Sequence, residues 1–516
     1  MPQLLKAIFI ACLIFPFALA HCQSTFYAGY ESATYPRGFN RIVPTPDQGF
    51  AIITGGIESS ILKFDANWNI QWTYELDSVY TLEDLILTSG NKLVVMGNSN
   101  SGYNALYLAQ FDLSGNIMWQ EDVEYDYAGS YSLTAFSLLN AYDDGFLILG
   151  GNCVGENLVF RMDKDGAVVW SKEYPNISQS GTGAIWEGVQ TGNGEYVLLS
   201  SNRDVSFYKI NDSGSLLWHT HYNIGSQINS QIKEIVASPT AGFYASGKFY
   251  DANNVQHQFL AAISSQGTIS WAKQLSESGN TSMSSISEML ISPSNEIMLF
   301  GTLVKSNNQN TQYQVSRFDL QGNHLSTNIS GSDFFQYGFD EIRDMVYVGN
   351  DLYMCGHSAY DNDVVAKLNA DGTGFCNSAA FTPVITDITP STVFMADNAN
   401  TFNLPIKTIP KTYVHPIPNY AQTLFCGSIP LDAEGGEAGE WMVWPQPAQE
   451  DFWLKHPAAG EGSVRIVDLA GREVAKQQVE PGTGQTRIFA GAIPVGAYLL
   501  EAEVGGQRHS QKLILK

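Results

Sequence analysis

The sequence predicts an all-β protein: a seven-bladed β-propeller followed by a small C-terminal β-sandwich. Three observations carry this. Between Phe50 and Cys376 one strand-and-turn pattern is written seven times. No segment sustains a 3.6-residue apolar period long enough for a convincing helix. After a Gly- and Glu-rich stretch, Ala433 to Gly439, a second pattern of short strands runs to the C-terminus.

Each of the seven units opens on a turn rich in Gly, Asp or Asn. An apolar run, a small or Gly pair, a second apolar strand and a short polar turn follow. The unit usually closes on Trp. Asp143-Asp144-Gly145-Phe146 opens Leu147 to Gly151; Leu158 to Met162 comes next; Asp163-Lys164-Asp165-Gly166 leads into Val168-Val169-Trp170. The closing positions are Trp72, Trp119, Trp170, Trp218 and Trp271, then Ser326 and Cys376 where the indole is lost. Runs of about five residues, rich in Val, Ile, Leu and aromatics and bounded by turn residues, read as strands. Four such strands recurring at roughly 40–50 residues read as propeller blades.

The Asp-x-x-Gly turns read as hairpin loops, with Asp capping the turn and Gly at positive φ. Calcium fragments are the weaker reading, because an all-protein calcium site needs about six to eight oxygen ligands. The repeated Trp reads as a wedge that docks one blade against the next. Five equivalent indoles argue for equivalent structural jobs rather than ligand stacking.

These endings resemble the tryptophan-docking repeat of quinoprotein-like propellers, carried here by Asp112, Gly115 and Trp119. The turn is one residue shorter than in that family, and no quinone or metal site carries over. The endings also approach the Asp-box of sialidases, but Gly precedes Trp by four positions where the box has three, and no arginine triad is recognisable. Both likenesses imply architecture alone. Residues 25–30 read as an orphan strand that pairs with the last blade and closes the ring.

Both chain ends carry an address. Residues 1–20 read as a secretory signal peptide: Lys6 is the positive residue, Ala7 to Ala20 is apolar, and Ala18-Leu19-Ala20 is a small-x-small cleavage site. About 14 apolar residues fall short of the roughly 20 of a membrane span, so no transmembrane span is expected. Leu19-Ala20-His21-Cys22 approaches a lipobox, with His21 where that motif wants Gly or Ala.

At the other end, Val443-Trp444-Pro445-Gln446-Pro447 precedes Val464 to Val474, which contains Asp468, Gly471 and Arg472. Gly496-Ala497-Tyr498 and a last strand led by Lys512 follow. Residues 442–516 resemble the C-terminal sorting domain of the type IX secretion system of Bacteroidota. Trp444, Gln446 and Val467 depart mildly from its pattern. Pro445, Pro447, Asp468, Gly471, Arg472, Gly496, Tyr498 and Lys512 carry the resemblance. It implies a small sandwich recognised by the outer-membrane machinery, with the body then released or attached to the cell surface. The expected organisation is a signal peptide (1–20), propeller (25–380), non-repeat insert (381–429), linker (430–441) and sorting domain (442–516).

The formal net charge is −24. All of it lies before residue 441, since residues 441–516 balance eight cationic against eight anionic side chains. An acidic body argues against nucleic acid or an anionic membrane as partner. Cys376 and Cys426 bracket the insert and are a candidate disulfide; Cys153 and Cys355 read as small buried apolar residues. No zinc spacing, nucleophile elbow, phosphate loop or dinucleotide fingerprint occurs. His219 and His221 share a strand face as a weak metal pair. Paired acids such as Asp143 and Asp144 read as solvated turn residues. No cofactor, catalytic residue or metal site is therefore assigned. The expectation is a non-catalytic module that binds an extracellular glycan, peptide or protein, with Tyr103, Tyr127, Tyr250, Tyr313 and Tyr360 as loop candidates. A polysaccharide hydrolase or lyase and a structural surface component are the alternatives.

Overall fold

The computed structural model describes residues 26–515 apart from 33–37, 56–58, 77–78, 100–104, 126–132, 153–154, 175–183, 193, 202–204, 224–230, 241, 254, 277–282, 305–310, 331–338, 359–362, 375–378, 397–401, 404–405, 411–419, 428–441, 445–450, 456–461, 468–471, 480–484, 491–492, 495 and 505–506. The expected signal peptide falls outside the described residues. Among the described residues the elements are strands and none is a helix, and no helix is long and apolar enough to cross a membrane. The chain divides into two units, Met1–Ile429 and Pro430–Lys516.

The first unit holds seven antiparallel sheets. In each of the first six, numbered along the chain over residues 39–75, 79–125, 133–174, 185–223, 231–276 and 283–329, four consecutive strands pair in chain order. Sheet 3 is representative, with Leu133–Asn140, Phe146–Asn152, Asn157–Met162 and Val168–Tyr174. Sheet 7 takes three strands from the end of the repeats and its fourth, Phe26–Ser32, from the start of the chain. Phe26 stands opposite Lys367, the register position at which Trp72 faces Lys63 in sheet 1.

The stretch expected to be a non-repeat insert is laid across the sheets as edge strands. Running backwards through them, Ala379–Phe381 joins sheet 6, Val384–Asp387 sheet 5, Ser391–Ala396 sheet 4, Phe402–Asn403 sheet 3 and Ile406–Pro410 sheet 2. Tyr420–Gly427 then pairs with Phe26–Ser32 in sheet 7. Each covers an outermost strand whose N–H and C=O groups would otherwise lack partners. Sheet 1 has no fifth strand among the described residues.

The first strand of every sheet is broken by a bulge at one equivalent place. The bulged residues are Asn40, Glu83, Phe136, Trp186, Lys233, Ser287 and Arg343. A bulge kinks its strand and pushes one carbonyl towards the partner strand. This accounts for the small residue at the end of each second strand. A Cβ on Gly97 would lie 2.2 Å from the carbonyl oxygen of Thr81, and one on Gly247 would lie 2.0 Å from that of Gln231.

The sheets bury apolar residues in pairs. Sheets 1 and 2 share a core around Leu82 and Tyr107, and sheets 3 and 4 one around Leu149 and Tyr196. Equivalent cores lie between each further consecutive pair. Another joins sheet 7 to sheet 1 through Phe50, Trp68, Tyr353 and Cys355. The first strands also neighbour one another in sequence order, and Phe339–Val348 of sheet 7 lies beside Phe39–Pro44 of sheet 1. In the second unit, a three-stranded and a four-stranded sheet share one core, with Phe452, Leu454 and Ile488 from one and Val464, Leu500 and Leu513 from the other.

Candidate binding site on the first strands

The bulges align two residues per sheet. The bulged residue comes first. The residue after it is Arg41, Asp84, Ser137, Glu187, Glu234, Glu288 or Asp344 in sheets 1 to 7. A bulge leaves a backbone N–H outside the ladder. On two sheets the neighbouring carboxylate accepts it: Ile42 N–H donates to Asp344 Oδ2 at 2.7 Å and Leu138 N–H to Asp84 Oδ2 at 2.5 Å. Each acid also caps its own strand, with Leu85 N–H donating to Asp84 Oδ1 and Met345 N–H to Asp344 Oδ1.

Arg41 sits between these acids. Its Nε lies 2.8 Å from Asp84 Oδ1 and 3.6 Å from Asp344 Oδ2. Burial pulls against its charge, but Asp84 and Asp344, with smaller contributions from Glu187 and Glu288, more than offset this and raise its pKa well above the ordinary value. Burial lifts Asp344 to about 6, although Arg41 lies beside it.

Sheets 4, 5 and 6 are charged differently. Glu187, Glu234 and Glu288 follow one another with no arginine on these three strands, although Arg41 of sheet 1 acts on each of them. Burial pushes Glu187 up to about 7. Burial and the charge of Glu187 raise Glu234; burial and the charge of Glu234 raise Glu288. Glu288 is 5 % exposed. It interacts electrostatically with Glu234, Asp344, Arg41 and Glu187, which hold the equivalent register position on four other first strands. Burying a carboxylate without a paired cation is costly, and this biases all three groups towards the protonated form.

The bulged residues form a second tier. Arg343 Nη1 donates to Asn40 Oδ1 at 3.0 Å, and Asn40 Nδ2 donates to the carbonyl of Leu82. Phe136 and Trp186 stack with centroids 4.1 Å apart, and Trp186 is 43 % exposed. The arrangement presents a solvent-facing indole, an outward Lys233 and a row of carboxyl groups in which Glu187 and Glu234 are half-buried and Glu288 is buried. It can stack a planar or cyclic group and accept hydrogen bonds, and it offers a low-dielectric place for positive charge.

These residues were missed in the sequence, although a signal exists. An apolar-x-polar-apolar tetrad occurs once per unit, as in Ile185-Trp186-Glu187-Gly188, Ile232-Lys233-Glu234-Ile235 and Ile286-Ser287-Glu288-Met289. Period-two alternation conceals it, because the bulge puts two neighbouring residues where one would stand.

The sequence-assigned residues lie elsewhere. Trp72 Nε1 donates to Leu113 O at 3.0 Å, Trp170 Nε1 to Asp212 O at 2.7 Å, and Trp218 Nε1 to Ser265 O at 3.0 Å. Each acceptor belongs to the last hairpin turn of the next sheet. At the corresponding carbonyl of Lys164, Gln110 Nε2 donates instead, and Trp119 Nε1 has no partner among the described residues. Trp271 lies on the turn glycine Gly322. In sheet 1 this turn carries Trp68 in place of Gly, at φ 67°, with its ring stacked 4.9 Å from Tyr353 of sheet 7.

Asp143 is not merely a solvated turn residue: it pairs with the buried Arg161, which also meets Asp212. Lys63 with Asp47, Lys209 with Glu195, Arg317 with Glu296 and Lys367 with Asp351 repeat this pairing between the third strand and the first hairpin turn. The turn reading of Asp163 agrees with its geometry: Oδ1 accepts from Asp165 N–H and Ala167 N–H, and Gly166 has φ 88°. Tyr313, expected on a loop, is instead buried in Thr311–Phe318. Tyr250 closes Phe243–Tyr250 and donates to Gln256 Oε1. Tyr103, Tyr127 and Tyr360 lie outside the described residues. His219 and His221 are both buried, and His221 Nδ1 lies 3.0 Å from Ser206 Oγ.

Cys376 lies outside the described residues, and Cys426 is placed only by its backbone, opposite Tyr27. Cys355 is a buried free thiol. Of the sorting residues, Pro445, Pro447, Asp468 and Gly471 lie outside the described residues. Arg472 is exposed, Gly496 begins Gly496–Val504, Tyr498 donates to Pro494 O at 2.7 Å, and Lys512 stands opposite Leu499.

Residues 442–516 match the family of secretion system C-terminal sorting domains. The protein is therefore exported by the type IX pathway to the outer cell surface or the extracellular space. No curated protein matches the chain. Among solved structures, a protein of unknown function from Bacteroides caccae is similar at 11% identity and TM-score 0.29, covering 68% of this chain and 92% of its own. A eukaryotic initiation factor is similar at 9% identity and TM-score 0.34, covering 71% and 98%. Similarity at this level assigns no function.

Proposed function

We propose that residues 25–380 form a closed seven-bladed β-propeller, docked blade to blade by Trp72, Trp119, Trp170, Trp218 and Trp271, that binds an extracellular ligand without transforming it. The two tiers of bulge residues line the mouth of its axis. The cyclic order of inter-sheet cores and the pairing of the first strand with sheet 7 support closure. Closure removes the two edges an open row of sheets would expose. The observation that carries binding is the exposed Trp186, stacked on Phe136 and next in sequence to Glu187, the first of a row of half-buried and buried carboxyl groups. An indole held half in water on a rigid strand costs little to order on binding and gives a large flat contact. The sorting domain delivers this module outside the cell, and the edge strands from 379–427 clasp it.

The test is to screen the exported protein against soluble polysaccharides and peptides, with Trp186→Ala beside the wild type. A ligand whose binding falls with the indole supports the reading. Turnover of any polymer by the wild type would replace it with an enzymatic one.

A further inference from the structure

We propose that Glu187, Glu234 and Glu288, beside the Trp186 indole, form a subsite for an organic cation, the ammonium or guanidinium group of an extracellular ligand. The inference rests on the reading of the first-strand face as the binding mouth, and it names the chemistry that mouth selects.

The charge around the face is lopsided. On sheets 7, 1 and 2, two carboxylates hold Arg41 and accept backbone N–H groups, so their needs are met inside the fold. On sheets 4, 5 and 6, three glutamates follow one another. Gly188 N–H, at 3.2 Å, serves Glu187. Glu288 has no hydrogen-bond partner among the described residues, although it is more than nine-tenths buried and interacts electrostatically with Glu234, Asp344, Arg41 and Glu187. Lys233 is the one cationic residue on these three first strands. It occupies the outward tier and is exposed, and it acts on Glu234 less than Arg41 does, which is itself held by Asp84 and Asp344.

A metal ion is a poor occupant. Among the described residues no group of three ligating side chains converges closely enough to hold one, and a metal needs its oxygens within about 2.0–2.6 Å. A larger cation with spread charge can answer three separated carboxylates and lie against an indole face. The whole chain is strongly acidic, at −24, which would draw such a ligand in.

Calorimetric titration of the exported full-length protein with trilysine and with a glucosamine trimer tests this. Trialanine acetylated at its N-terminus and amidated at its C-terminus, and the N-acetylated trimer, serve as uncharged controls. The expected result is binding of an amine-bearing probe and none of its control. Glu288→Gln should weaken it about tenfold or more, with an unchanged or higher melting temperature. Glu234→Gln should act in the same direction. Preference for trilysine assigns the cation to a peptide; preference for the trimer assigns it to a glycan. Equal affinity of wild type and Glu288→Gln, or no binding of either amine probe, overturns the proposal. A neutral saccharide that binds through Trp186 and ignores Glu288→Gln would sink this inference while leaving the mouth intact. No Trp186-dependent ligand at all would sink both.

Discussion

The indole of Trp271 in sheet 5 lies so close to Gly322 in sheet 6 that a Cβ on the glycine would sit 2.8 Å from the ring. Gly115 with Trp72, Gly166 with Trp119, Gly214 with Trp170 and Gly267 with Trp218 repeat the contact. Gly322 also has φ 80°, which a side chain resists. One glycine thus serves two needs, the turn and the docked ring. Gly322→Ala is expected to destabilise by more than the roughly 1 kcal/mol of a simple positive-φ site, because the ring must also move. Trp170→Ala, which additionally abandons Asp212 O, is expected to cost about 3–5 kcal/mol. Denaturant unfolding of both variants checks this, and wild-type midpoints would refute the docking role.

The buried glutamates give stability an unusual slope with pH. Burial keeps Glu187 protonated up to about 7, against an ordinary 4.5. Between those values the folded state holds the extra proton, so this contribution is full below 4.5 and is lost as pH rises through 7. Glu288 is shifted in the same direction. Glu187→Gln and Glu288→Gln are expected to raise the melting temperature at pH 8 and to change it little at pH 4.5. A fall at pH 8 would mean that the carboxylates are satisfied.

The edge strands should behave as a clasp. Removing residues 379–427 is expected to speed amide exchange in Val168–Tyr174, Leu216–Asn223 and Ile269–Ser276, whose outer edges they cover. Ile70–Glu75, which has no fifth strand among the described residues, is the internal control and should change least. Uniform exchange across all the outer strands would contradict this.

Export should depend on the second unit. Deletion of residues 442–516, which match the sorting-domain family, is expected to leave the body in the periplasm. Fractionation and immunoblotting read the outcome, and full recovery outside the cell would contradict the dependence.

Much of the architecture is legible from repetition. Local alternation, turn residues and the recurring Trp mark each strand, because each unit must bury the same faces against the same kind of neighbour. The bulge residues are harder to see. Asp84 and Glu187 stand in sequence as ordinary charged residues within apolar strands. Only a register shift puts them on a shared face. Asp143 looked like a turn acid because its partner Arg161 lies a strand away and reaches it only after folding.

The sequence by itself determined that the chain is all-β and that residues 442–516 are an export signal, since these follow from short-range pattern and motif. Tertiary structure alone decided that 379–427 runs backwards across the sheets, that Arg41 is claimed by sheets on both sides, and that three glutamates are left without such a partner. Each of these joins residues far apart along the chain, and such contacts depend on how sheets pack rather than on any local preference.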